Sequence, residues 1–310
     1  MQNWRGITMS QELISKIHQL KAEKNATIIA HFYQSPEIQD LADFVGDSLA
    51  MAKYGKDVDA DCLVICGVKF MAETAKILSP DKTVLLPNQD AGCPMADMVD
   101  AKSLAMHKKR HPNHYIVSYV NTSADVKALT DICVTSSNAL HIIRQLEQKE
   151  ILFLPDKNLG HYINTQLSDQ QMHLWPGFCR THDRLNAEDV KSMKVLYPDA
   201  EVLVHPECDP SVVELADYIG STSGIIHRAS TSSAQSFIVC TEEGVIHRLR
   251  QNEPEKAFHL ASSKLLCQNM KKTELEDIYT CLLNSRPEMM IEETTRLAAY
   301  NALDQMLALS

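Results

Sequence analysis

At 310 residues the chain is long enough for two or three domains, each with its own core. Hydrophobic residues make up 45% of it and charged residues 23%, the balance of a globular protein rather than a disordered one. Forty acidic against thirty basic residues leave a formal charge of −10, which argues against a nucleic-acid surface. No apolar run approaches the ~20 residues needed to span a bilayer. The opening "MQNWRGITMSQELISK" also lacks the apolar centre of an export signal, so a cytoplasmic protein with no membrane partner is expected.

In chain order, strand-like and helix-like stretches alternate. "TIIAH" reads as a buried strand and "EIQDLADFVGDSLAMAKY", residues 37–54, as one amphipathic helix. "CLVIC", "TVLLP", "YIVSYV", "EILFLP", "AEVLVHP" and "SFIVC" repeat the strand character, each followed by a helical stretch. This alternation is the signature of α/β units with parallel sheets. The end, "PEMMIEETTRLAAYNALDQMLAL", reads as one helix docked on the body, with Met290, Leu297, Ala298, Leu303 and Met306 at helical spacings. "KKRH" at 108–111 reads as a solvated helix end rather than a phosphate site.

Aligning the strands on one another brings out a long period. His31, Tyr119 and His205, at the ends of three apolar runs, lie 88 and 86 residues apart. Ser48, Ser136 and Ser221 are separated by 88 and 85, as are Val64, Leu152 and Phe237. Cys93, Cys179 and Cys267 are separated by 86 and 88. Four landmarks in one register point to three homologous α/β domains, each a three-layer αβα unit, about a pseudo-threefold axis. The period exceeds that of solenoid repeats. The expected boundaries are 1–108 for an N-terminal helix plus the first repeat, 109–194 for the second and 195–273 for the third. Residues 274–310 are expected to form C-terminal helices packed on the body. Functional groups of parallel sheets lie beyond the carboxyl ends of the strands, so His31, Tyr119, His205 and the hydroxyls are expected to share a central pocket.

The nine cysteines are scattered through a chain with no export signal, which favours reduced thiols or metal ligands over disulfides. Cys62 and Cys66, four apart in a strand, point to one face and into the core. Cys133, Cys240 and Cys281 have apolar surroundings, and Cys208 beside Glu207 is harder to place. Three convergent thiolates at Cys93, Cys179 and Cys267 suit a [4Fe–4S] cluster with one iron left open. They also suit a zinc site completed by a histidine, for which His182 is nearest. The competing reading is three unrelated buried thiols. Before a wider resemblance is considered, a noncatalytic redox sensor with a labile cluster and a zinc-stabilised small-molecule binding protein both stay open, as does another trefoil [4Fe–4S] enzyme acting on a phosphorylated small molecule. A sensor would need an output surface, and no basic stripe is present.

The runs "AHFYQSPEIQDLADFVGDSLAMAK", "GVKFMAETAKILSPDKTVLLPNQDAGCPMAD", "SYVNTSADVKALTDICVTSSNA", "WPGFCRTH", "HPECDPSVVELADYIGSTSGI" and "TEEGVIHRL" together resemble the quinolinate synthase family of de novo NAD biosynthesis. The similarity runs in order from about residue 10 onward. The resemblance implies one [4Fe–4S] cluster per chain, held by Cys93, Cys179 and Cys267. It also implies condensation of iminoaspartate with dihydroxyacetone phosphate to quinolinate, phosphate and two waters. By the same resemblance His31, Ser48, Tyr119, Asn121, Ser136, His205, Glu207, Ser221 and Thr222 contact substrate, with Glu207, Tyr33 and His205 in catalysis. L-Aspartate oxidase or dehydrogenase is the expected functional partner, because iminoaspartate is short-lived in water. Gln268 stands where the family commonly has proline after the third cysteine.

The residue types suit those roles. Hydroxyls and helix N-terminal amides supply neutral donors to carboxylates and phosphate. "HPE" at a strand end offers a base with a positioning partner. "GSTSG" at 220–224 reads either as a donor cluster or as a plain helix cap.

Overall fold

The structure is a computed structural model that describes residues 2–147, 150–167 and 172–310. The chain forms two compact units, Met1–Gly92 with Gln268–Glu292, and Cys93–Cys267 with Glu293–Ser310.

The first unit opens with α1 (Gln2–Glu23), then β1 (Ala26–His31), α2 (Pro36–Leu41), β2 (Phe44–Gly46), α3 (Ser48–Asp57), β3 (Cys62–Cys66), α4 (Lys69–Leu78) and β4 (Thr83–Leu85). The second unit continues with α5 (Ala101–Arg110), β5 (Tyr115–Tyr119), α6 (Ala124–Lys127), β6 (Ile132–Val134), α7 (Ala139–Gln145), β7 (Ile151–Leu154), α8 (Lys157–Thr165) and β8 (His173–Leu174). It goes on through α9 (Ala187–Leu196), β9 (Glu201–Val204), α10 (Pro210–Val213), β10 (Tyr218–Ile219), α11 (Thr222–Thr231), β11 (Ser236–Cys240), α12 (Val245–Asn252) and β12 (Ala257–Leu260). The chain then returns to the first unit for α13 (Leu275–Asn284) and ends in the second with α14 (Glu293–Ala308).

Three four-stranded parallel sheets result, in the orders β2-β1-β3-β4, β6-β5-β7-β8 and β10-β9-β11-β12. The fold is therefore α/β, with one strand order used three times. The central strands are buried along nearly their whole length, which is why they read as continuous apolar runs.

One side-chain device recurs in each sheet. The backbone N–H of Ile28 donates to Asp43 at 2.8 Å, that of Ile116 to Asp131 at 2.7 Å and that of Val202 to Asp217 at 2.8 Å. Each aspartate's own N–H donates back to the carbonyl of the same partner, at 2.9, 3.0 and 2.9 Å. The pair of bonds locks the entry to the second strand of each repeat against the first. The aspartates are 88 and 86 residues apart, the spacing of the strand-end landmarks.

The same register corrects two alignments made from spacing alone. Ile28 pairs with Val64, Ile116 with Leu152 and Val202 with Ile238, so the third counterpart is Ile238 rather than Phe237. Ser48 is the first residue of α3 and Thr222 the first of α11, so Thr222, not Ser221, is the counterpart of Ser48. Ser221 instead corresponds to the helix cap Asp47.

Two helix expectations are also corrected. Residues 37–54 form a helix, a strand and a second helix, because Phe44–Gly46 pairs with Ile29, Ala30 and His31 and Asp47 starts a new helix by accepting from Ala50 N–H. At the C-terminus the helix begins only at Glu293. Residues before it run alongside β4, with Leu86 N–H donating to Pro287 and Met289 N–H to Val84. Met290 and Leu297 are exposed, and the buried face of α14 is Ala299, Ala302, Leu303 and Met306. No helix among the described residues is long and apolar enough to cross a membrane.

Candidate active site and metal centre

The carboxyl ends of the strands in the second unit carry the polar groups. Tyr119 closes β5, and His205 and Glu207 follow β9 in a tight turn. The Tyr119 hydroxyl donates to Glu207 Oε1 at 2.6 Å, and His182 Nδ1 lies 2.8 Å from Glu207 Oε2. His182 Nε2 stands 3.0 Å from Thr241 Oγ1, and its ring stacks on His205 at 4.6 Å. Asn158 donates to the Glu207 carbonyl at 3.1 Å. His182, His205 and Glu207 are almost wholly buried, so this polar cluster is closed off from bulk water.

Two carboxyl groups here are pushed in opposite directions. Burial alone would raise Glu207, yet the imidazoles of His205 and His182 and the Tyr119 hydroxyl hold it well below the usual carboxylate range. Burial and the charge of Glu207 push Asp156 well above that range, against the N–H groups of Leu159, Asn158 and Cys179. Glu207 is thereby held towards its ionised form as an acceptor, beside a carboxyl that burial and the charge of Glu207 push the other way.

The backbone N–H of Glu207 donates to His205 Nδ1 at 3.3 Å, and that of Tyr33 to His31 Nδ1 at 3.1 Å. In each case Nδ1 is the acceptor, so in the neutral ring Nε2 carries the proton and is the donor. In the first unit the His31 ring meets Tyr33 edge-on at 4.4 Å, and the Tyr33 carbonyl accepts from Lys271 at 2.6 Å. Ser48 there opens α3, half-buried. Asn121 lies just past β5, and its buried Oδ1 has no hydrogen-bond partner among the described residues. Ser136 is half-buried in the turn before α7. Ser221 caps α11 by accepting from Gly224 N–H at 3.2 Å, and Thr222 begins that helix.

The nine thiols divide sharply. Cys93, Cys179 and Cys267 are half-exposed and the other six are buried. Cys62, Cys66 and Cys281 lie in the core of the first unit, and Cys208 and Cys240 in that of the third sheet. Each half-exposed cysteine follows the fourth strand of its repeat, and the carbonyl two residues before it accepts from an N–H at the start of a helix or turn: Lys69 to Ala91, Lys157 to Gly177 and Glu243 to Leu265. Cys179 N–H donates to Asp156 at 3.1 Å and Cys267 N–H to Glu242 at 3.0 Å. Burial, opposed by the N–H groups of Ala96 and Met95, leaves the Cys93 thiol pushed up to about 12, and Cys267 and Glu207 add to the rise. Cys179 is raised by burial, by Glu207 and Asp156, and by Cys93. Cys93 thus lies close enough to Cys179 and to Cys267 for the thiols to oppose one another's ionisation, a rise that a cation bound beside them would reverse. Cys179 Sγ, His182 Nδ1 and Glu207 Oε2 also lie within 4.8 Å of one another and could hold a metal ion. His182 Nδ1, however, is already directed at a carboxylate.

Asp156, Asn158, Thr241 and Glu242 escape a reading of the sequence by motif. The first and last lie 86 residues apart, in phase with the repeat, and that spacing was the signal for them.

Residues 15–308 match the quinolinate synthetase A protein family. The chain belongs to that family. It is 49% identical over 298 residues to a quinolinate synthase of Clostridioides difficile, with 96% of this chain and 98% of the relative covered. It is 50% identical over 295 residues to one of Clostridium perfringens, covering 95% and 98%. One of a Geobacter species is 49% identical over 302 residues, covering 97% and 99%. Membership of the quinolinate synthetase A family makes the chain a synthase enzyme.

Proposed function

We propose that the chain condenses iminoaspartate with dihydroxyacetone phosphate to give quinolinate, inorganic phosphate and two waters. The observation that carries this reading is the near full-length likeness to quinolinate synthases together with a buried Tyr119–Glu207–His182 network beside three half-exposed thiols. Cys93, Cys179 and Cys267 would hold a [4Fe–4S] cluster, which when bound supplies an open iron as Lewis acid. His182 then acts as hydrogen-bond partner to Glu207 rather than as a ligand.

Glu207 Oε1 and Oε2 accept protons during the isomerisation and dehydration steps, and Tyr119 and His182 stabilise its ionised form. His205 Nε2–H donates to a substrate oxygen. The orphan Oδ1 of Asn121 takes a substrate donor, and Ser136, Ser221 and Thr222 offer hydroxyls and helix-start amides to carboxylate or phosphate. From the first unit, His31 and Ser48 are the corresponding substrate contacts, and Tyr33 is a phenolic acid–base group. Residues 1–108 would be an N-terminal helix plus the first repeat, 109–194 the second repeat, 195–273 the third and 274–310 the C-terminal helices. A cytoplasmic enzyme that oxidises L-aspartate would supply the imine.

The deciding experiment is anaerobic purification with iron and sulfide analysis, alongside a quinolinate assay on freshly generated iminoaspartate. About four irons per chain with quinolinate formed is the expected result. Iron without product would overturn the reaction, and product without iron would overturn the cluster.

A further inference from the structure

A second group of ligand-type side chains lies at the second sheet, with no part in the chemistry above. His107 sits in the last turn of α5 and His111 caps that helix. His114 immediately precedes β5, Glu150 immediately precedes β7, and His173 opens the edge strand β8. The ring of His114 stacks on that of His173 at 4.7 Å, only 17° from parallel, and on that of His111 at 4.7 Å. His114 Nε2 lies 3.7 Å and His173 Nε2 3.5 Å from one oxygen, Glu150 Oε2. The three ligand atoms all fall within 4.8 Å of one another.

These separations are too long for N–H···O hydrogen bonds, which close at about 2.7–3.2 Å. They match instead the edges of a coordination tetrahedron. Zinc–nitrogen and zinc–oxygen bonds of about 2.0–2.2 Å place neighbouring ligand atoms about 3.4 Å apart. The far side of the His114 ring is also fixed, since its Nδ1 stands 3.0 Å from His107 Nε2. With a cation on Nε2, the Nδ1 proton of His114 donates to His107, the outer hydrogen bond that metal-binding imidazoles usually have.

We propose that His114, Glu150 and His173 form a divalent-metal site for zinc or a similar borderline transition ion, open at a fourth position, with His107 as its positioning residue. Two imidazoles and one carboxylate favour such ions over calcium or magnesium, which prefer oxygen donors alone. The ion would join the start of β5, the start of β7 and the two-residue edge strand β8.

Cobalt(II) is the probe, because its thiolate charge-transfer band separates binding at cysteines from binding at nitrogen and oxygen. Titrated into the full-length, anaerobically purified protein, one equivalent should bind with visible ligand-field bands and no added thiolate band. His173→Gln and Glu150→Gln, both at exposed positions, should each weaken that binding about a hundredfold, and His107→Phe about tenfold. Zinc should compete the cobalt away. Cobalt that binds only with a thiolate band would overturn the proposal, as would a Kd weaker than about 1 mM. Affinity unchanged in both His173→Gln and Glu150→Gln would do the same.

Discussion

Glu207 shows how far a single residue's environment decides its chemistry. A carboxyl buried this deeply would ordinarily be neutral, but two imidazoles and a phenol hold it ionised. Glu207→Gln keeps the shape and removes the charge, so turnover should fall by about 10²–10⁴-fold while iron content stays unchanged. Turnover within twofold of the parent would exclude Glu207 from proton transfer. Asn121 allows a different test, because its buried Oδ1 has no hydrogen-bond partner among the described residues. Asn121→Ala should raise KM by about two- to tenfold, the worth of one hydrogen bond, with little change in Tm. A large loss of Tm with unchanged KM would make Asn121 a structural residue. The loop bearing Asn121 is itself anchored by the buried Lys127, which donates to the carbonyls of Val120 and Thr122.

At the scale of the element, each repeat depends on a second strand of two or three residues that has little intrinsic tendency to form. Asp43, Asp131 and Asp217 clamp the entries of β2, β6 and β10 to the central strands. Removing one clamp by Asp217→Ala leaves the Val202 N–H without that acceptor. It should cost about 1–2 kcal/mol of stability, read as a lower urea midpoint with unchanged slope. An unchanged midpoint would mean that strand pairing alone fixes β10. The same physics explains why residues 37–54 mislead as one helix. Their apolar spacing is helical on average, but pairing with β1 outweighs local propensity over Phe44–Gly46.

Across the whole molecule, burial sorts the cysteines and makes stability depend on pH. Burial pushes the thiols of Cys133 and Cys281 up to about 12, in Cys281 with help from Cys62 and Asp277. In the unfolded chain such thiols ionise near 8.5. Below that pH both states keep the proton and the thiols do not affect folding. Above it the unfolded state loses protons that the native state retains, so stability falls as pH rises towards 12. Each such thiol should cost up to about 1.4 kcal/mol per pH unit. Tm should therefore drop between pH 8 and pH 10.5, and Cys133→Ala should make that drop shallower. A Tm slope identical in the variant would show that this thiol does not contribute.

The sequence by itself determined the plan: three α/β repeats of about 86 residues, their central strands, and the in-phase cysteines that burial then sets apart from the other six. These are properties of local pattern and period, which survive without knowledge of contacts. Tertiary structure alone decided the edge strands, the true start of α14 and the one-residue shift that makes Thr222 the counterpart of Ser48. It alone brought Asp156 and Glu242 to the amides of Cys179 and Cys267, and Tyr119 and His182 to Glu207. Those partners are separated by up to 88 residues, and their pKa shifts and hydrogen bonds arise only when folding removes water from between them.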